Sequence, residues 1–334
     1  MIDFVIPWVD GNDPKWLEEK KQYDNLENNV VNNSDARFRD SNFLKYWFRG
    51  VEKHANWVNK IHFITYGHVP DWLNVNHPKL NIVNHKDYLD EKYLPTYSSI
   101  TIELSLHKIE SLSENFVYFN DDCFIIDQLQ PEDFFIDGLP VDEGLFRHVD
   151  CSDYSNDHPH ILLNNVGFIN RNFNFRDCMS HHKDKFVNDV YGELKKHNEF
   201  YSQFSWFPGF YMLHLPQPFK KKIFKEVWDV EGSLLDEISQ YKFRNAKSVN
   251  QYIFRAWQML KGEFVPSLSR ENGRAFYDLE KEFDEIKRYL KNKERPMIVI
   301  NDNVKISNEK YYELSDKINL FFEKLFPNKS SFEV

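Results

Sequence analysis

Cysteine is scarce: Cys123, Cys151 and Cys178 are all that 334 residues hold. They are too few and too scattered for a disulfide framework or a structural zinc site, and they fit a reducing compartment. No run approaches 18 apolar residues, and the N-terminus has neither the basic segment nor the long apolar core of a signal peptide. The reading is therefore of a cytoplasmic chain without a transmembrane segment, able to visit the inner face of a membrane. Positive charge is also short, with 42 Lys and Arg against 52 Asp and Glu and a formal charge of −10. That leaves no global basic field for nucleic acid, so an anionic ligand must be met by local Arg and Lys. The dinucleotide fingerprint GxGxxG is missing too.

Aromatic residues are plentiful, with 30 Phe, 17 Tyr and 8 Trp, which points to a folded globular chain with a sizeable core. Apolar, β-branched runs predict strands over 2–9, 60–65, 80–84, 116–119 and 296–300, with helices over 15–23, 42–54 and 98–112 between them. Strands separated in this way predict an α/β fold with a mostly parallel, doubly wound, Rossmann-like sheet flanked by helices. We expect a single domain over 1–334, its α/β core built from 1–150 and 296–305. A helical, aromatic-rich insertion occupies about 164–290.

The chemistry concentrates at strand ends. Phe116-Val117-Tyr118-Phe119-Asn120-Asp121-Asp122 reads as a short buried strand that ends abruptly in acids. Ligands of open α/β sheets bind at the carboxyl ends of strands, and Asn-Asp-Asp offers hard oxygens for Mg²⁺ or Mn²⁺ beside a phosphate. The same triplet also makes an ordinary turn. Ile298-Val299-Ile300-Asn301-Asp302 repeats the pattern, and two such ends in one sheet would gather Asp121, Asp122 and Asp302 around one cation. The loop Asp10-Gly11-Asn12-Asp13 follows the first strand and leads through Pro14 into a helix, the arrangement that binds nucleotides. Arg37 and Arg39 lie at the entry of the helix over 42–54, where they either clamp a phosphate or form a surface salt bridge with Asp40. Glu103 and His107, four apart, read more readily as a structural or solvated pair than as a functional one. His214-Leu215-Pro216-Gln217-Pro218 and the basic run Lys220-Lys221-Lys222 form either a functional loop or a solvated face.

In combination these blocks resemble the Stealth family. The resemblance is carried by Ile6-Pro7-Trp8-Val9-Asp10-Gly11-Asn12-Asp13-Pro14, by Arg37-Phe38-Arg39-Asp40 through Trp57-Val58-Asn59-Lys60-Ile61 to Gly67-His68-Val69-Pro70-Asp71-Trp72-Leu73, and by Asn120-Asp121-Asp122. It continues in His214-Leu215-Pro216, Arg244 to Asn250, Ile300-Asn301-Asp302-Asn303 and the segment 326–333. The resemblance implies a GT-A-like core, a divalent cation (Mg²⁺ or Mn²⁺), a nucleotide-sugar donor and an oligosaccharide or polysaccharide acceptor. The implied reaction moves hexose-1-phosphate from a UDP-sugar to a sugar hydroxyl with release of UMP, in capsule or exopolysaccharide synthesis. It assigns catalysis to His214, Arg39, Arg244 and Asp122, with His214 as candidate general base because imidazole titrates near neutrality, and an Asp of the Asp121–Asp122 pair as the alternative base. It assigns substrate binding to Asp10, Gly11, Asn12, Asp13, Arg37, Ser99 and Asn250, and the metal to Asp121, Asp122 and Asp302. A glycosyltransferase releasing UDP, a metal-dependent phosphodiesterase and a non-enzymatic carbohydrate-binding protein are the alternatives.

Overall fold

The computed structural model describes residues 1–27, 38–152, 157–302 and 305–334, with backbone only for 24–27. Its main sheet has five strands: β1 (Ile2–Trp8), β2 (Ile61–Thr65), β3 (Leu80–Asn84), β4 (Asn115–Tyr118) and, far along the chain, an edge strand at Gln217–Lys220. Their order is β3-β2-β1-β4 followed by that edge strand. The first four run parallel and the edge strand runs antiparallel to β4. The chain steps from β1 outward to β2 and β3, then returns to the other flank of β1 as β4, so the switch point of this sheet falls between β1 and β4.

Alternation along the strands feeds two apolar layers. Phe4, Ile6, Phe63, Val117 and Phe119 enter one; Val5, Ile64, Phe116 and Tyr118 enter the other. Such central strands, buried on both faces, read as continuous apolar runs. The first layer is closed by α2 (Leu44–His54) through Trp47 and Phe48, and by the last helix (Asn308–Leu325) through Ile318 and Phe322. Gly50 lets α2 lie against the carbonyl of Ile125: a Cβ there would sit 2.3 Å from that oxygen. The second layer receives the helical region, through Phe224 and Val227 of the helix Lys221–Ser239 and Ile253 and Phe254 of the helix Tyr252–Leu260.

One expectation is corrected here. The strand Met297–Ile300 does form, but it does not join the main sheet. It pairs antiparallel with β5 (Cys123–Ile125) and parallel with Gly273–Phe276 in a separate three-stranded sheet. The helix expected over 98–112 is shorter as well. It spans Ser99–Leu104 and continues as a 3₁₀ turn, Leu106–Lys108.

Candidate active site

Strand polarity gathers the acids and His214. Because Gln217–Lys220 runs antiparallel to β4, with Gln217 opposite Tyr118, the residues before Gln217 lie beside those after Tyr118. Thus His214 Nε2 stands 3.1 Å from Asp122 Oδ2, and the Asn120 amide nitrogen lies 3.2 Å from both ring nitrogens. The second sheet supplies Asn301, whose side chain donates to the same Asp122 oxygen at 2.9 Å. The Ile300 N–H is pinned to the Asp122 carbonyl at 2.9 Å. The two strand ends therefore meet as expected, but through Asn301.

Asp302, expected as a metal ligand, pairs with Arg39. Both of its oxygens are taken by Arg39, at 2.9 Å from Nε and 2.6 Å from the terminal nitrogen. The same guanidinium also donates to the Ile306 carbonyl and to Asn308, and it stacks 4.2 Å over Tyr311. With a side chain only 4 % exposed, Arg39 fastens the segment after the second sheet and has a fork already filled. Among the described residues, no group of three His, Cys, Asp or Glu converges as a ready metal cage.

The charges near Asp122 are strongly coupled. Burial raises the Asp122 carboxyl, but the charge of His214 and hydrogen bonds from His214 and Asn301 outweigh it and hold the group below its ordinary value. Burial lowers His214, and Asp122, Glu103 and Asp121 outweigh that and raise it. Asp121 is pushed up to about 7 by desolvation and then by Asp122 and Asp40. Since Asp121 is exposed, solvent limits the first of these causes and the like charges carry the direction. Asp40 is itself raised, by burial and by the charge of Asp10.

Buried nearby is a group that sequence reasoning set aside. Glu103 is 5 % exposed, accepts the Tyr118 hydroxyl at 2.9 Å, and is pushed up to about 7 by desolvation against the pull of Arg244, Tyr118, Ser99 and His214. Its partner is not His107, since the helix ends at Leu104 and the i, i+4 spacing is not kept. Arg244 donates to Ser99 Oγ at 3.1 Å. Among the described residues it has no carboxylate within salt-bridge distance, which leaves most of a half-buried guanidinium for an anion.

The loop after β1 is held by His68. Its Nδ1 faces Asp13 Oδ2 at 3.1 Å and its Nε2 accepts the Asp10 N–H at 2.8 Å, so one tautomer satisfies both. Asp13 caps the helix Pro14–Glu27 through the N–H groups of Lys15 and Trp16, which makes it a structural member of the loop. Asp10 Oδ1 turns back to the Asn12 N–H. A Cβ on Gly11 would fall 1.8 Å from the Phe38 carbonyl, so glycine is needed where the loop touches the Phe38–Arg39–Asp40 segment. Asn250, expected to bind substrate, is buried, and its oxygen is occupied by Asn165 and the Tyr252 N–H. Arg37 lies outside the described residues.

Known proteins place this geometry in context. The model of Stealth protein conserved region 1 matches residues 2–26, and that of conserved region 2 matches residues 37–141. A capsular polysaccharide phosphotransferase WcwK of Streptococcus pneumoniae is 41% identical over 332 residues, 99% of this chain and 98% of its own. The receptor polysaccharide phosphotransferase WefC of Streptococcus gordonii is 34% identical, over 100% of this chain and 99% of its own. The exopolysaccharide phosphotransferase cps2G of Lactiplantibacillus plantarum is 34% identical, over 99% of this chain and 96% of its own. Among solved structures, galactosyltransferase LgtC with donor and acceptor sugar analogues matches with a TM-score of 0.38 at 11% identity, covering 94% of this chain and 95% of that one.

Proposed function

The chain belongs to the Stealth family of capsular and exopolysaccharide phosphotransferases, and from that premise we propose that it moves a hexose-1-phosphate, of the N-acetylhexosamine type, from a UDP-sugar to a hydroxyl of a growing polysaccharide. The acceptor oxygen attacks the β-phosphorus, the bond from that phosphorus to the bridging oxygen breaks, and UMP leaves. The sugar C1–O bond stays intact, so anomeric configuration is retained without a glycosyl intermediate.

The observation that carries this reading is the His214–Asp122 pair at the carboxyl end of β4, with Arg244 close enough to act on the adjoining Glu103. Asp122 fixes the imidazole through Nε2 and stabilises its protonated form. Nδ1 is then the atom that takes the acceptor proton, once Asn120 yields its place. Arg244 is suited to the charge that develops on the transferring phosphoryl oxygens. Tyr277, 57 % exposed with its ring 6.4 Å from that of His214, offers a face for the acceptor sugar. Asp10, Gly11 and Asn12 take the donor side of the cleft.

A divalent cation fits the carboxylates. Asp121, Asp122 and Asp40 accumulate negative charge, and the carboxyl of Asp121 is raised by it, a cost that Mg²⁺ or Mn²⁺ relieves. Asp121 and Asp122 would hold the ion while substrate phosphates complete its shell. When bound, it supplies charge neutralisation at the diphosphate. Chromatography of the nucleotide product over a panel of UDP-sugars tests the proposal: UMP formed only when acceptor is present supports it. Release of UDP identifies a glycosyltransferase, and UMP release independent of acceptor identifies a hydrolase.

A further inference from the structure

A hollow lies in the helical region, where the helix Asp157–Asn172 gives way to the helix Phe175–Phe186 and meets the segment around Ser205 and Trp206. It is a shallow, open depression of about 550 Å³. None of the residues assigned to phosphotransfer lines it.

The walls are fixed by hydrogen bonds. Arg171 forks onto Glu231 with two contacts of 2.8 Å, and Asn172 donates to the same carboxylate at 2.7 Å. Asn170 exchanges two bonds with the Phe207 backbone, and Arg176 donates to Ser205 Oγ at 2.7 Å. Trp206 is 58 % exposed, yet its ring is buttressed by Phe204 at 5.5 Å, which in turn packs on Phe200 and Tyr201. A tryptophan held from behind with an open face is a stacking platform.

Its chemistry selects the ligand. Among the described residues, the Trp206 indole N–H, the Ser205 hydroxyl hydrogen, the Asn174 amide NH₂ and the Asn172 carbonyl oxygen have no protein partner. Neutral donors and acceptors thus surround one aromatic face, and the charge of Arg171 is matched by Glu231. That set suits hydroxyl and N-acetyl groups on a sugar ring, and Arg176, which has no carboxylate partner among the described residues, stands beside it on Ser205 Oγ. We propose that this hollow is a saccharide subsite that holds a stretch of the acceptor polysaccharide away from the point of transfer. The assignment to the acceptor rests on the phosphotransferase reading; binding itself does not.

The test uses the full chain without donor, so its outcome is separable from that reading. Calorimetry or saturation-transfer NMR with neutral hexose and N-acetylhexosamine oligosaccharides of about four to six units should show saturable binding to at least one of them. Trp206→Ala should weaken it about tenfold, the order of a lost aromatic contact, and Trp206→Phe should restore most of it. With a monosaccharide-sized acceptor, Trp206→Ala should turn over like wild type. Absence of binding across the panel, or equal affinity in Trp206→Ala, overturns the proposal. So does sedimentation showing a dimer that Trp206→Ala abolishes, which would give the face to a second copy of the chain.

Discussion

At the residue scale, the His214–Asp122 pair sets the pH behaviour. His214 is raised, so it stays protonated to a higher pH than a free imidazole, and the acid limb of kcat/KM should titrate above 6.5. Asp122→Asn removes the largest raising contribution and should move that limb downward. His214→Ala should keep donor affinity and lose turnover by about 10²- to 10⁴-fold, and a parallel loss of donor affinity would make His214 a ligand holder. Glu103 gives a stability prediction of definite sign. Its folded value, about 7, lies above the ordinary 4.5, so ionisation costs the folded state as pH rises through that window. The cost is on the order of 3 kcal/mol when complete. Glu103→Gln should therefore melt higher relative to wild type at pH 8 than at pH 5, and a difference independent of pH would show that Glu103 is not ionising inside the fold.

At the scale of elements, the ends of strands were legible in the sequence and their partners were not. The run Phe116-Val117-Tyr118 could be read because apolar residues on both sheet faces leave an unbroken signal that stops at Asn-Asp-Asp. The second Asn-Asp end was equally visible, but its sheet depends on pairing with Cys123–Ile125, which no local pattern encodes. Hence the choice between Asn301 and Asp302 was lost: Asp302 meets Arg39, 263 positions away. The broken helix has the same kind of cause. The Leu104 carbonyl accepts the Trp228 indole N–H at 2.8 Å, while Lys221 Nζ collects the carbonyls of Ile109, Glu110 and Leu112. Those distant donors satisfy backbone groups that a longer helix would have paired internally. Part of the basic run expected to be a solvated face is thereby a structural cap. If Arg39 fastens this region, Arg39→Lys and Asp302→Asn should each lower the melting temperature, and their double-mutant cycle should show coupling of about 0.5–3 kcal/mol. Strict additivity would return Arg39 to a role at the phosphate.

Across the whole molecule, the sheet brings the Asp10–Asp13 loop after β1, the acids after β4 and the histidine before the edge strand to one edge, while a second sheet braces Asp122 from outside. No helix among the described residues is long and apolar enough to cross a membrane. EDTA should abolish transfer reversibly. Asp121→Asn should do so without lowering the melting temperature near pH 8, because it relieves the repulsion that raises that carboxyl. The central claim is that the β-phosphorus is the reacting centre. Following that atom is the most direct test, with [β-³²P]UDP-N-acetylhexosamine, Mg²⁺ and a polysaccharide acceptor. The account predicts label in an acid-labile phosphodiester on the acceptor, unlabelled UMP in solution, and loss of both in His214→Ala. Label recovered in free UDP, with unlabelled sugar on the acceptor, would contradict it.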